Sequence, residues 1–350
     1  MNRFREHPLY REDIDCVLSN APLSGLQGRR VLVTGATGLI GTMLVDVLLE
    51  ADRRGADVSV LAVGRNRASA EERFGDAFRN PRFSFVEHDV TRPFASGISF
   101  DAAVSGASLT HPLAYSRHPI AAALTNLEGT KHVLERASEC RAKILFLSSV
   151  EIYGNSPDGK PFRENDTGKL DLSTARASYT ESKRTCEALC QAFRQEYDLD
   201  VRIARLCRVF GPTVRPDDSK ASSQFLQAAA RGEDVVLKSE GLQLFSYLYV
   251  ADCVSALLFL LDRGEPGAAY NVASGDCDVR LRTFAETAAG CAGTKVLFDL
   301  PSDAEKRGFS IASTALLDPS RIRKLGWTPR YAFGDGVQRT VKMLQASKPS

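Results

Sequence analysis

Three glycines at a strand–helix junction constrain this chain more than any other feature. In VTGATGLIG, Gly35, Gly38 and Gly41 separate the β-branched run RRVLVTGA from the helical pattern LIGTMLVDVLLEA. A junction of this kind turns tightly and lets the backbone approach a pyrophosphate. It also offers the free N–H groups and favourable dipole of a helix N-terminus. The same triplet could serve as a purely structural turn. Its place at the first junction of an alternating series favours the binding reading.

That series runs through the strands DVSVLAV, FSFVEHD, FDAAVSG, KILFLSS and DVRIARL. Between them lie the helical segments AEERFGDAF, AAALTNLEGTKHVLERAS and ASYTESKRTCEALCQAFRQEY. Near-continuous apolar strands alternating with amphipathic helices predict an α/β fold, a doubly wound parallel sheet of Rossmann type. Residues 28–207 with about 251–275 are expected to form this cofactor-binding domain. Residues 1–27 form an N-terminal extension with a short helix near Arg11–Ser19. The alternation loosens after the polar loop PTVRPDDSKASS, so about 208–250 and 276–350 are assigned to a smaller C-terminal α/β substrate-binding domain.

Composition narrows the function classes. A chain of 350 residues with 43% hydrophobic and 25% charged residues is long and apolar enough for a sizeable core. Its net charge of +2 gives no electrostatic reason to expect nucleic acid or a membrane surface as partner. The longest mostly apolar run, Val254–Leu261, is too short to span a bilayer. The N-terminus MNRFREHPLYRED lacks the apolar core of a secretory signal, and a cytoplasmic location is expected. The eight cysteines form no C-x-x-C pair and read as reduced thiols. His111 and His118 are close in sequence without further ligands, so no metal is expected.

YTESK places Tyr179 and Lys183 four residues apart on one helix face. A tyrosine is a poor base at its ordinary pKa of about 10, and a neighbouring ammonium brings the phenolate toward working pH. In isolation the pair is of a kind that surface helices carry by accident. Here it follows the strand end LSSVEIYG, and both would meet at the carboxyl edge of a parallel sheet, where ligands bind.

The G-x-x-G-x-x-G spacing, the YTESK pair and the chain length together resemble the extended short-chain dehydrogenase/reductases, the nucleotide-sugar epimerases and dehydratases. The resemblance covers nearly the whole chain from Gly28. It extends to RLCRVFGP, to YVADCVSALLFLL with Asp252 as N-cap, and to LGWTPRYAFGDGV. It implies a bound nicotinamide cofactor contacting Gly35, Thr37, Gly38, Leu39, Ile40, Gly41, Arg65, Asp89, Val90, Ala107, Tyr179, Lys183 and Val209. It implies catalysis by Ser149, Tyr179, Lys183 and Glu151, with Ser148 packed inward. A nucleotide-diphosphate sugar would meet Ser149, Asn126, Arg208 and Gln243, and the protein would be a homodimer through the two helices flanking the sheet.

Departures from the family pattern leave choices open. VLAVGRN places Arg65 where NAD-binding members carry an acid, so NAD is expected with NADP not excluded. In UDP-glucuronate decarboxylases and related dehydratases the segment SGASLTHPLAYSRHPI begins with a histidine, which is Ser105 here. Dehydratases carry Asp-Glu after the catalytic Ser/Thr, whereas this chain reads Ser149-Val150-Glu151, with the base and without the acid. Glu151 is a candidate C5 base or a solvated loop carboxylate. The usual arginine of Q-x-R-D is Phe245, and Arg208 replaces an asparagine. Arg208 either supplies the missing cation or makes a salt bridge. The resulting expectation is an epimerase or dehydratase working through transient C4 oxidation. UDP-glucuronate decarboxylation is the alternative. A net NAD(P)-dependent reductase or dehydrogenase and a non-catalytic Rossmann binding protein are the readings of other classes.

Overall fold

The computed structural model describes residues 3–110, 117–156, 158–299 and 313–347; His111 lies outside them. Seven strands form one wholly parallel sheet: β1 (Arg30–Thr34), β2 (Ser59–Gly64), β3 (Phe83–Glu87), β4 (Ala102–Ser105), β5 (Lys143–Ser149), β6 (Val201–Leu206) and β10 (Ala269–Val272). The spatial order is β10-β6-β5-β4-β1-β2-β3. The order reverses at β1, and this is the crevice where doubly wound folds place their ligands.

Alternation along the strands sends side chains to two apolar layers. Val31 and Val33 join α2 (Leu39–Ala51), α1 (Pro8–Asn20) and α7 (Val250–Arg263) on one face. Leu32, Ile144 and Phe146 join α4 (Pro119–Cys140) and α5 (Ala177–Tyr197) on the other. Both layers are apolar and buried, which is why the strands read as unbroken hydrophobic runs. The expected helix AEERFGDAF is shorter than its pattern. Helix α3 spans Arg67–Phe74 and stops at Gly75, whose φ of 49° leaves the helical region, and a 3₁₀ turn follows.

The remaining elements form two smaller sheets. Strand β9 (Leu244–Tyr249) pairs in parallel with β7 (Arg208–Phe210) and β13 (Thr314–Ala315), and antiparallel with β11 (Asp278–Arg280). Strands β8 (Val235–Leu237) and β12 (Val296–Phe298) form a parallel pair. Helices α6 (Ala221–Arg231), α8 (Leu281–Ala292) and α10 (Phe333–Ala346) pack around them, while α9 (Ser320–Lys324) lies against β10.

The N-terminal helix is bonded into this frame. Buried Asp13 accepts from Tyr249 Oη at 2.5 Å and from Arg339 Nε at 2.8 Å. Asp46 accepts from Tyr10 Oη and Arg5 Nε at 2.7 and 2.8 Å. One expectation needs correction. Asp252 does not cap α7, because the cap position falls on Tyr249 and Asp252 lies inside the first turn. Its carboxylate instead accepts the amides of Arg330 and Tyr331 at 2.7 and 3.0 Å.

Candidate active site

A cleft of about 910 Å3 opens along the carboxyl edge of the large sheet and continues between β7, α6, β8 and β9. Its first half is the glycine turn. Gly35 has φ of 70°, and a Cβ there would lie 2.9 Å from the Gly106 carbonyl. A Cβ on Gly41 would lie 2.4 Å from the Gly35 carbonyl, so the first turn of α2 closes onto the loop only without a side chain. No side chain caps α2 at Gly38, so the backbone presents its first amides to the cleft. Thr37, Leu39 and Ile40 line the same wall. Thr34 Oγ1 accepts the amides of Gly106 and Ala107 at 3.0 and 3.1 Å and fixes the loop after β4.

Asp89 and Val90 border the cleft beyond β3. Burial pushes the Asp89 carboxyl up, but the Thr91 amide and hydroxyl and the charge of Arg65 outweigh it and hold the group below its ordinary value. Asp89 Oδ1 accepts from Thr91 N and Oγ1 at 3.0 and 2.9 Å, leaving Oδ2 for another donor. Exposed Arg65 stands at the same edge, and Val209 at the far wall. The bare first turn, the close approach at Gly35 and Gly41 and this carboxylate suit a dinucleotide.

The second half brings together the residues expected to be catalytic. Ser149, Glu151, Tyr179 and Lys183 all line it. Ser149 ends β5 and its Oγ accepts the Glu151 amide at 3.2 Å, which leaves its hydroxyl proton for a ligand. Ser148 faces inward, 4% exposed. Lys183 Nζ donates to the Leu147 carbonyl at 2.9 Å and lies 4.9 Å above the Phe146 ring. Burial holds its pKa below the usual lysine value.

Glu151 is partly buried and doubly ion-paired. Its side chain is 23% exposed, and each oxygen meets a different arginine, Arg176 Nη2 at 3.1 Å and Arg208 Nη2 at 3.4 Å. The Arg208 guanidinium lies 3.6 Å from the centre of the Phe245 ring. Val150 is buried, so no second carboxylate accompanies Glu151 on this turn. Gln243 also lines the cleft.

Asn126, expected as a substrate contact, is not among the residues lining the cleft and is 1% exposed. Its amide oxygen accepts from Ser108 Oγ at 2.7 Å and its nitrogen donates to Ser182 Oγ at 2.9 Å, so it fastens α4 to the helix of Tyr179. Sequence reasoning missed Arg176. The available signal was a cation at the N-terminus of a long helix, where the dipole disfavours it unless a carboxylate stands opposite. Among the described residues no group of three His, Cys, Asp or Glu side chains converges as a metal site. No described helix is long and apolar enough to cross a membrane.

Comparison with known proteins adds three findings. The sequence model of the NAD dependent epimerase/dehydratase family matches residues 31–273. UDP-glucuronic acid decarboxylase 3 of Arabidopsis thaliana is 28% identical over 310 residues, covering 88% of this chain and 86% of that protein. Among solved structures, the dTDP-glucose 4,6-dehydratase DesIV from Streptomyces venezuelae, solved with NAD bound, superposes with a TM-score of 0.75 at 26% identity. The match covers 90% of this chain and 96% of that one. UDP-glucuronic acid 4-epimerase from Bacillus cereus superposes with a TM-score of 0.76 at 20% identity over 90% and 98% of the two chains, a likeness of fold.

Proposed function

The chain belongs to the NAD-dependent epimerase/dehydratase family, and from that premise we propose that it decarboxylates a nucleotide-linked hexuronate through transient oxidation at C4. The observation that carries this reading is the arginine pair around Glu151, one residue beyond Val150 and two beyond Ser149. Two guanidinium groups face one carboxylate at the sugar end of the cleft, and cations so placed suit an anionic substituent on the sugar.

NAD, when bound, supplies the acceptor for the C4 hydride and later returns it. The residues in its half of the cleft fit it: the α2 amides for the pyrophosphate and Asp89 for the adenosine end. Ser149 donates to the C4 hydroxyl, and Tyr179 as phenolate removes its proton, with the Lys183 ammonium stabilising that phenolate. The resulting ketone lies β to the C5 carboxylate. The C5–carboxylate bond then breaks, its electron pair passes into the enolate at O4, and carbon dioxide leaves. Protonated Tyr179 stabilises the enolate oxygen, a solvent proton completes C5, and Tyr179 finally returns its proton to O4.

Glu151 has two effects in this scheme. It holds Arg176 and Arg208 in place before substrate arrives. Once the uronate is seated, its like charge raises the energy of the substrate carboxylate, a strain relieved when carbon dioxide departs. Val150 supplies no acid for a leaving hydroxyl, which separates this cleft from the dehydratase pattern. A 4-epimerase acting on the same uronate is the second reading, favoured by the arginine grip itself, since a firmly paired carboxylate is retained.

Mass spectrometry of purified protein incubated with UDP-glucuronate, UDP-glucose and their thymidine counterparts tests the reading. Loss of carbon dioxide from a uronate supports it, an unchanged mass with inverted C4 selects the epimerase, and loss of water from a neutral sugar overturns both. We also place the homodimer contact on α4 and α5, which expose Ile120, Leu124 and Tyr197; a monomer in sedimentation equilibrium would remove it.

A further inference from the structure

Beneath the cleft floor lies an ionic cluster that the proposed reaction leaves unused. Tyr179, Lys183 and Glu187 succeed one another at four-residue spacing along α5, so they share a stripe of the helix. Glu187 is 9% exposed. Its Oε1 accepts from Ser148 Oγ at 2.5 Å, and Arg205 reaches the carboxylate through Nη2 at 2.7 Å and Nε at 3.1 and 3.2 Å. Ser148 and Arg205 are direct partners across β5 and β6, so both anchors arrive from adjacent strands.

Arg205 carries the connection further. Its Nη1 donates to Tyr153 Oη at 2.8 Å and to the Glu164 carbonyl at 2.7 Å, and Tyr153 Oη donates to Asn271 Oδ1 at 2.7 Å. The segment that bears Ser149 and Glu151 is thus held at Ser148 on one side and at Tyr153 on the other. Both tethers end in the Glu187–Arg205 pair.

The same carboxylate lies one helical turn beyond Lys183. A buried ammonium is costly without a nearby negative charge. Around Lys183, α5 supplies Cys186, Glu187 and Cys190, and β5 supplies the Phe146 ring and the Leu147 carbonyl. Across from Cys186, α4 supplies Asn126 and Thr130, both neutral. Burial pushes both thiols up, so they stay uncharged at working pH. Glu187 is left as the charge that favours the ammonium, and Arg205 partly offsets it.

We propose that Glu187 is a positioning residue for the catalytic pair: through Ser148 and Arg205 it fixes the Ser149–Glu151 turn against the helix of Tyr179, and it sets a negative charge one helical turn beyond Lys183. This rests on the reading of Tyr179 and Lys183 as the acid–base pair, and not on the sugar or on carbon dioxide loss.

The test is Glu187→Gln, which preserves size and keeps one oxygen to accept from Ser148 and Arg205 Nε while removing the charge. Two pH profiles are read. One is kcat with UDP-glucuronate; the other is the ultraviolet titration of Tyr179, with Tyr179→Phe as the blank. With the charge gone and Arg205 left unopposed, the Lys183 ammonium and the Tyr179 phenol both give up a proton more readily. Both profiles then move to lower pH together, by on the order of one unit, with KM unchanged. Unmoved profiles, or a uniform rate loss with an unmoved tyrosine titration, overturn the proposal. Ser148→Ala, which keeps the charge and removes one tether, should lower kcat without moving either profile; an unchanged kcat also overturns it. Full turnover by Tyr179→Phe would instead bring down the underlying acid–base reading.

Discussion

The Arg208 guanidinium stacks on the Phe245 ring, 3.6 Å from its centre, while reaching Glu151 at 3.4 Å. Phe245 stands where the resemblance expects an arginine, and the cation over its ring comes from β7. Strands β7 and β9 pair with Arg208 opposite Tyr247, which sets the side chain over the ring two residues earlier. The aromatic face orients the guanidinium and stabilises it by a cation–π contact. Arg208 therefore makes the salt bridge and lines the cleft, and its service to a substrate anion is part of the proposal.

Removing that cation tests its part in binding. Arg208→Ala should raise KM for a uronate substrate roughly 10- to 100-fold, the range for loss of a hydrogen bond to a charged group, while KM for a neutral nucleotide sugar changes little. Arg208→Lys should recover only part of the loss, because an ammonium is a point charge without the planar stack. Equal effects on charged and neutral sugars would show that Arg208 serves the diphosphate instead. Steady-state kinetics with UDP-glucuronate and UDP-glucose provide the comparison.

Glu151→Gln separates the oxidation step from the later cleavage of the C5–carboxylate bond. The variant keeps Ser149 and Tyr179, so reduced cofactor should still form in a single turnover. Loss of the like charge should slow carbon dioxide release, and reduced cofactor should accumulate where the native protein shows little. Stopped-flow absorbance beside carbon dioxide trapping reads both. Simultaneous loss of both signals would indicate that Glu151 only holds the arginines in place.

The glycine turn makes a prediction that does not depend on the substrate. In Gly41→Ala the added Cβ would lie 2.4 Å from the Gly35 carbonyl and 2.8 Å from Ala36 Cα. Both are backbone atoms that cannot swing aside, so α2 must shift and its first amides lose their aim. NAD affinity by calorimetry should fall by at least tenfold, about 1.4 kcal/mol, with the far-ultraviolet spectrum unchanged. Native-like affinity would show that these amides do not carry the pyrophosphate.

Much of this was legible in the sequence because it is local. The helices LIGTMLVDVLLEA and ASYTESKRTCEALCQAFRQEY occupy Leu39–Ala51 and Ala177–Tyr197, the bounds their apolar periodicity marks. The glycine junction needed only nearest neighbours to be read. What stayed hidden depends on pairing across the fold. The ion pairs of Glu151 could not be read because Arg176 and Arg208 are 25 and 57 residues away. Asn126 looked like a ligand contact because its partners Ser108 and Ser182 meet it only in the folded chain. Asp252 was misread for the same reason, since a carboxylate in a first turn resembles a cap when its true donors lie 78 and 79 residues on.

Asp252 also gives the protein a pH-dependent stability that runs against the usual direction for a carboxylate. Burial raises its pKa from the ordinary 3.8 to about 6, even though the Arg330 and Tyr331 amides oppose the shift. A carboxyl whose folded pKa is raised binds more protons in the native than in the unfolded state between those two values. Stability from this group is therefore present below the unfolded pKa and is lost as pH rises through the folded one. The full effect is about 3 kcal/mol, from a shift of roughly two units. In Asp252→Asn the amide oxygen still accepts one backbone N–H but no longer titrates. Urea unfolding at pH 4 and pH 7 should then show a smaller loss of stability across this interval in the variant than in the native protein. Equal pH slopes would mean that Asp252 ionises normally in the folded chain, with water reaching it beside the Arg330 amide.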